Sequence, residues 1–199
     1  MLIGIIITMI FISLTPFSFR KLFLFATFAL GISCAACFAE PILLSVKNTP
    51  YDRQMSRIRP VLQSVAKTER DLSITLVNRW IGDLRAIPYG FSPEWKTPSE
   101  VEAAPVADCK GKAVALYKKM QASGATNVRL VIGKRTSTSR QTHTWLLWET
   151  NSGNYILDPT INWMAFREEQ VGRHSYIPFY AYAGERKYRA ASATLLAKN

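Results

Sequence analysis

The stretch Asp108–Gly133, DCKGKAVALYKKMQASGATNVRLVIG, contains both a helix and a strand, and the switch between them decides the fold class. Asp108 can accept hydrogen bonds from the unpaired amides that open a helix, and Ala113, Leu116, Tyr117 and Met120 follow at helical spacing. Gly124 can take the left-handed conformation that closes a helix, after which NVRLVIGK alternates with the period of a strand. Cys109 therefore opens the helix. Free amides and a partial positive charge at that position favour a thiolate over a thiol, and Lys110 and Lys112 add charge of the same sign.

Downstream, the polar loop RTSTSRQT leads into HTWLLWE and NYILDPT, which flank TNSG as a hairpin. Faces alternate along a strand, so the turn fixes which side chains meet. If Thr150 pairs with Gly153, Trp145 lies opposite Asp158, and His143 and Asp158 become diagonal neighbours on one face. A tighter turn would place them directly opposite, and a looser one would separate them. The sequence permits that dyad without forcing it. Further on, YIPFYAY reads as a strand that Pro178 confines to an edge or a start, and the last dozen residues read as fraying.

Upstream of Asp108, residues 40–52 read as an irregular arm. Met55, Ile58, Leu62 and Val65 suggest a helix that Pro60 could open, and Leu72, Leu76, Trp80, Leu84 and Ile87 a stronger one, capped by Asp71 or Thr68 and stopped by Pro88. TPSEVEAAP carries a capping box, Thr97 with Glu100, and proline at the first helical position.

Residues 1–39 contain no acidic residue and only Arg20 and Lys21 as basic ones. The basic pair, the run LFLFATFALGIS and the small-residue end CAACFA match a secretory signal cleaved after Ala39. A second apolar run over residues 1–16 keeps a retained membrane anchor as the rival reading. Cys34 and Cys37 fall inside this leader, so residues 40–199 form one domain with a single cysteine, Cys109, and no internal disulfide. Formal net charge is +11 for the whole chain and +9, from 23 basic and 14 acidic residues, once Arg20 and Lys21 are removed. A basic surface suits an anionic membrane or envelope surface. Export and the absence of any basic block argue against nucleic acid as a partner.

A cysteine opening a helix, a histidine opening a strand and an aspartate ending the next strand can together form a nucleophilic triad. Cys109 would attack, His143 would move the proton, Asp158 would orient the ring, and the Cys109 amide would face the oxyanion. Each residue also has a plainer reading. A lone helical cysteine is commonly a small buried hydrophobe, a strand histidine is usually structural, and Asp158-Pro159-Thr160 can simply turn the chain. His174, shortly after Gly172, reads as a surface residue.

The helix–strand stretch followed by HTWLLWETNSGNYILDPT resembles the core of the transglutaminase-like superfamily, over roughly Asn78 to Asn162. EWKTPSE ahead of the cysteine further resembles the bacterial transglutaminase-like cysteine peptidases, a group that includes periplasmic proteases trimming surface adhesins. The resemblance implies an α+β, papain-like fold with N-terminal helices, the Cys109 helix packed on an antiparallel sheet that carries His143 and Asp158. It implies a cysteine peptidase of residues 40–199 acting on a protein or peptide at the cell envelope through a thioester. Acyl transfer to an amine, or a non-catalytic binding module on the same fold, are the alternatives. The chain departs from the peptidase pattern in one respect. Where that group shows Gly-Asp-Cys followed by acidic residues, this chain has Ala107-Asp108-Cys109-Lys110-Gly111. Oxygen ligands that calcium would need are thereby lost, so no metal and no cofactor is expected.

Overall fold

A computed structural model describes residues 42–191 except Val65, Lys67 and Arg173; the proposed leader, with Cys34 and Cys37, lies outside them. The fold is α+β. Among the described residues, the strands are β1 (Ile42–Ser45), β2 (Val128–Thr136), β3 (His143–Thr150), β4 (Gly153–Leu157), β5 (Phe166–Arg167), β6 (Ser175–Ala183) and β7 (Arg186–Ala191). They form one antiparallel sheet in the order β1-β7-β6-β2-β3-β4-β5. The helices are α1 (Arg59–Gln63), α2 (Ile74–Ala86), α3 (Pro98–Ala103) and α4 (Cys109–Ala122), with a 3₁₀ turn at Gln54–Ile58 leading into α1. No helix among the described residues is long and apolar enough to cross a membrane.

The central helix is α4. Ala113, Val114, Ala115, Leu116, Tyr117 and Met120 are all buried, because β2 and β3 cover one side while α1, α2 and α3 cover the rest. A helix enclosed in this way is fixed at both ends. The Asp108 carboxylate accepts the Gly111 amide at 2.9 Å, and Gly124 closes the far end at φ 100°. In α3 the capping box forms as read, Thr97 taking the Glu100 amide and Glu100 the Thr97 amide. Gly111 admits α3: a β-carbon there would lie 2.9 Å from Val101 Cγ2.

Four expectations need correcting. In α2 the buried stripe is Val77, Ile81 and Leu84, and the cap is Ser73 rather than Asp71 or Thr68. Leu84 is buried as expected and Leu72, Trp80 and Ile87 pack half-buried against the core, but Leu76 is exposed, and packing on α4 buries Val77 and Ile81 instead. The arm of residues 40–52 contains β1, paired with β7, and β7 occupies part of the segment read as fraying. Finally, β6 is an interior strand between β7 and β2. Pro178 is accommodated there because the register shifts between Ile132 and Gly133, and a bulge frees the position from donating to the ladder.

Candidate active site

The hairpin turn pairs Thr150 with Gly153 and Leu146 with Leu157, the register that makes His143 and Asp158 diagonal neighbours. His143 opens β3 and Asp158 immediately follows β4; His143 Nε2 lies 2.7 Å from Asp158 Oδ2. Asp158 is fully buried. Its Oδ1 accepts the Thr160 amide at 3.0 Å, so the Asp-Pro-Thr turn fixes the carboxylate that serves the ring. Trp145 stacks beside the imidazole, with centroids 6.2 Å apart and planes 20° from parallel.

Cys109, the first residue of α4, is free and 9% exposed. Its thiol lies beside the His143 ring and is among the groups that raise the ring's pKa. With Nε2 committed to Asp158, Nδ1 is the nitrogen left for sulfur. All three residues singled out in the sequence therefore meet where the helix start reaches the sheet. Burial alone would depress the His143 pKa. The hydrogen bonds to Asp158 and Cys109, and the charges of both, outweigh that effect and raise it to about 9.

The surroundings differ from the sequence reading in several ways. Both lysines expected to support the thiolate are engaged with other acceptors. Lys110 Nζ pairs with Asp108 Oδ2, donates to the Ser92 carbonyl at 2.8 Å and lies 5.1 Å from the Phe91 ring centre. Lys112 is fully buried and donates to the Ile87 carbonyl at the end of α2 at 2.5 Å. Burial, followed by the charge of Arg85, lowers its pKa, and Asp158 opposes that shift. Trp95 is a core residue, and Asn78 Oδ1 accepts the Ala165 amide at 2.8 Å. His174 is exposed, as read.

Two tyrosines join the site's surroundings. Tyr89 is 58% exposed beside Cys109; burial of its hydroxyl, then the charges of Cys109 and Asp108, raise its pKa. Its segment bridges to Ala107 and so follows the chain into the helix start. Tyr176 donates from its hydroxyl to Asp158 Oδ2 at 2.9 Å. Nothing in YIPFYAY separates it from the other tyrosines of that strand.

No family model and no curated protein matches the chain. Solved structures do. Legionella pneumophila LapG treated with EGTA superposes with a TM-score of 0.52 at 17% identity, covering 73% of this chain and 80% of that one. The calcium-bound form of the same protein gives 0.51 at 18% identity, covering 73% and 85%. A third LapG structure gives 0.51 at 16%, covering 76% and 86%. This chain shares their fold.

Proposed function

We propose that the protein is an exported thiol hydrolase that cleaves peptide or amide bonds through Cys109, His143 and Asp158. The observation that carries this reading is the His143 ring held at 2.7 Å by a fully buried carboxylate, with the Cys109 thiol beside it at a helix start. Cys109 Sγ, as thiolate, attacks the scissile carbonyl, and the oxygen gains negative charge facing the Cys109 amide. The His143 imidazolium then gives its proton to the leaving nitrogen as the C–N bond breaks, leaving a thioester. Water, deprotonated by the neutral ring, attacks the thioester; sulfur leaves and the acid product departs. Asp158 keeps the ring turned with Nδ1 toward sulfur throughout.

The transglutaminase-like resemblance, the packing of α4 on the antiparallel sheet, and the fold shared with LapG support this reading. The leader-like residues 1–39 support action in the periplasm or at the envelope, on a protein or peptide substrate. No calcium enters this reading: the Asp108 carboxylate is already held by Lys110 and the Gly111 amide, and Lys110 and Gly111 bring no oxygen side chain to the helix start. The decisive experiment is iodoacetamide labelling of the full chain at pH 6. An activated Cys109 reacts far faster than free cysteine. Labelling no faster than free cysteine would leave Cys109 a buried structural thiol and the fold a binding module.

A further inference from the structure

Asp158 has a third donor that the reaction as derived does not use. Its Oδ2, the oxygen facing His143 Nε2, also receives the Tyr176 hydroxyl at 2.9 Å. That hydroxyl is itself oriented. Asn162 Nδ2 lies 2.9 Å from the tyrosine oxygen and can only donate, so the phenolic proton is left for Asp158. Asn162 is tied back by its own amide, which donates to the Asp158 carbonyl at 3.0 Å. The Tyr176 ring is wedged edge-on against Trp145 at 5.3 Å, the same indole that stacks on His143. Tyr176 also holds a left-handed backbone, φ 52°, a conformation rare for a bulky residue. An unfavourable backbone held against the carboxylate of a buried triad is the kind of strain that gathers at functional sites.

We propose that Tyr176 is a positioning residue that acts through Asp158, holding the carboxylate and limiting how strongly it retains the proton of His143. This rests on the triad reading above. A carboxylate oxygen that accepts one proton donor has less electron density for a second. An imidazolium bound too tightly would be a poor acid toward the leaving nitrogen, whereas Tyr176 shares the oxygen and keeps that proton transferable. The groups facing this cluster are Cys109 and Lys112 from α4, His143 from β3, Arg135 from β2 and Asp158 itself.

The test is nuclear magnetic resonance titration of His143 in the full chain, labelled with ¹³C-histidine, with His174→Gln assigning the two signals. Tyr176→Phe keeps the ring and its packing but removes the donor. The expected result is a His143 pKa higher than in the parent by about half a unit or more. The same substitution on an Asp158→Asn background should leave the titration where Asp158→Asn alone puts it. An unchanged or lowered His143 pKa in Tyr176→Phe, or an equal shift without the carboxylate, would overturn the proposal. Asn162→Ala, which leaves the tyrosine in place, should give a smaller shift of the same sign and serves where Tyr176→Phe does not fold; no shift from it would then count against the proposal. Iodoacetamide labelling of Cys109 in the parent separates the two readings. An inert thiol would end the hydrolase reading, while the histidine titration still decides what Tyr176 does to Asp158.

Discussion

Replacing Asp158 with asparagine tests the site at its most buried point. The His143 pKa, about 9 against an ordinary 6.5, measures how much the folded protein favours the imidazolium. That difference corresponds to about 3 kcal/mol, the net by which the interactions with Asp158 and Cys109 exceed the opposing cost of burial. Asparagine is nearly the same size, so the change removes charge while keeping shape. It also changes which hydrogen bonds can form. The Thr160 amide needs an oxygen, so asparagine places its oxygen there and turns its amide nitrogen toward Nε2. That nitrogen is a donor, and it therefore stabilises the ring with Nε2 bare and the proton on Nδ1. A ring protonated at Nδ1 cannot take the proton of the thiol.

Two measurements follow from this derivation. Asp158→Asn should bring the His143 titration well below 9, since burial is then opposed by Cys109 alone. Iodoacetamide labelling of Cys109 at pH 6 should slow by about ten- to a hundredfold, as the ion pair loses most of that stabilisation. The fold should survive, shown by an unchanged circular dichroism spectrum. A His143 pKa still near 9 in this variant, with labelling undiminished, would refute the derivation, because the imidazolium would then owe nothing to the carboxylate.

Three further outcomes are expected. Because the His143 pKa is raised on folding, its contribution to stability is complete below about pH 6.5 and disappears as pH rises through about 9; denaturant midpoints of the parent should fall across that window, and those of His143→Ala should not follow it. Lys110→Ala frees Asp108 and the Ser92 carbonyl from their shared cation, so labelling of Cys109 should change while remaining insensitive to EGTA; restoration of the parent rate by micromolar calcium would show that the lysine had been covering a metal site. Gly133→Ala places a β-carbon 2.0 Å from the Ile177 carbonyl and 2.7 Å from Trp145 at the bulge, which should lower stability by about 1–3 kcal/mol in chemical denaturation; a neutral effect would mean that the bulge yields freely.

What was legible in the sequence was local. The caps at Asp108 and Thr97, the stop at Gly124 and the Thr150–Gly153 turn each act over a few residues, and each formed as read. From that turn alone, strand periodicity brought His143 and Asp158 to one face. What remained hidden depended on distant partners. β1 is extended only because β7, near the other end of the described chain, supplies its hydrogen bonds. Pro178 suits an interior strand only because the pairing with β2 skips a residue beside it. The inner face of α2 is chosen by its packing on α4. Tyr176 was illegible for the same reason: its hydroxyl matters because Asp158, 18 residues earlier, is buried beneath it.

Where the buried polarity sits is itself informative. Asp158, Asp108 and Lys112 are all fully buried, and all lie where α4 begins or where the sheet meets it. Apolar side chains of similar volume would often give a fold at least as stable as buried charges do, so such groups are weak evidence for stability. The far half of α4 shows what the same helix does when stability is the only demand: Ala115, Leu116 and Met120 are buried among other apolar residues. One stretch of helix thus contains both solutions, and the costly one occurs only around Cys109. A left-handed tyrosine, a carboxylate with three donors and a lysine enclosed against the end of α2 occur together where the sheet meets the start of α4. A binding module that used Cys109 only as packing would gain nothing from that arrangement, which is the physical reason for preferring chemistry at this site.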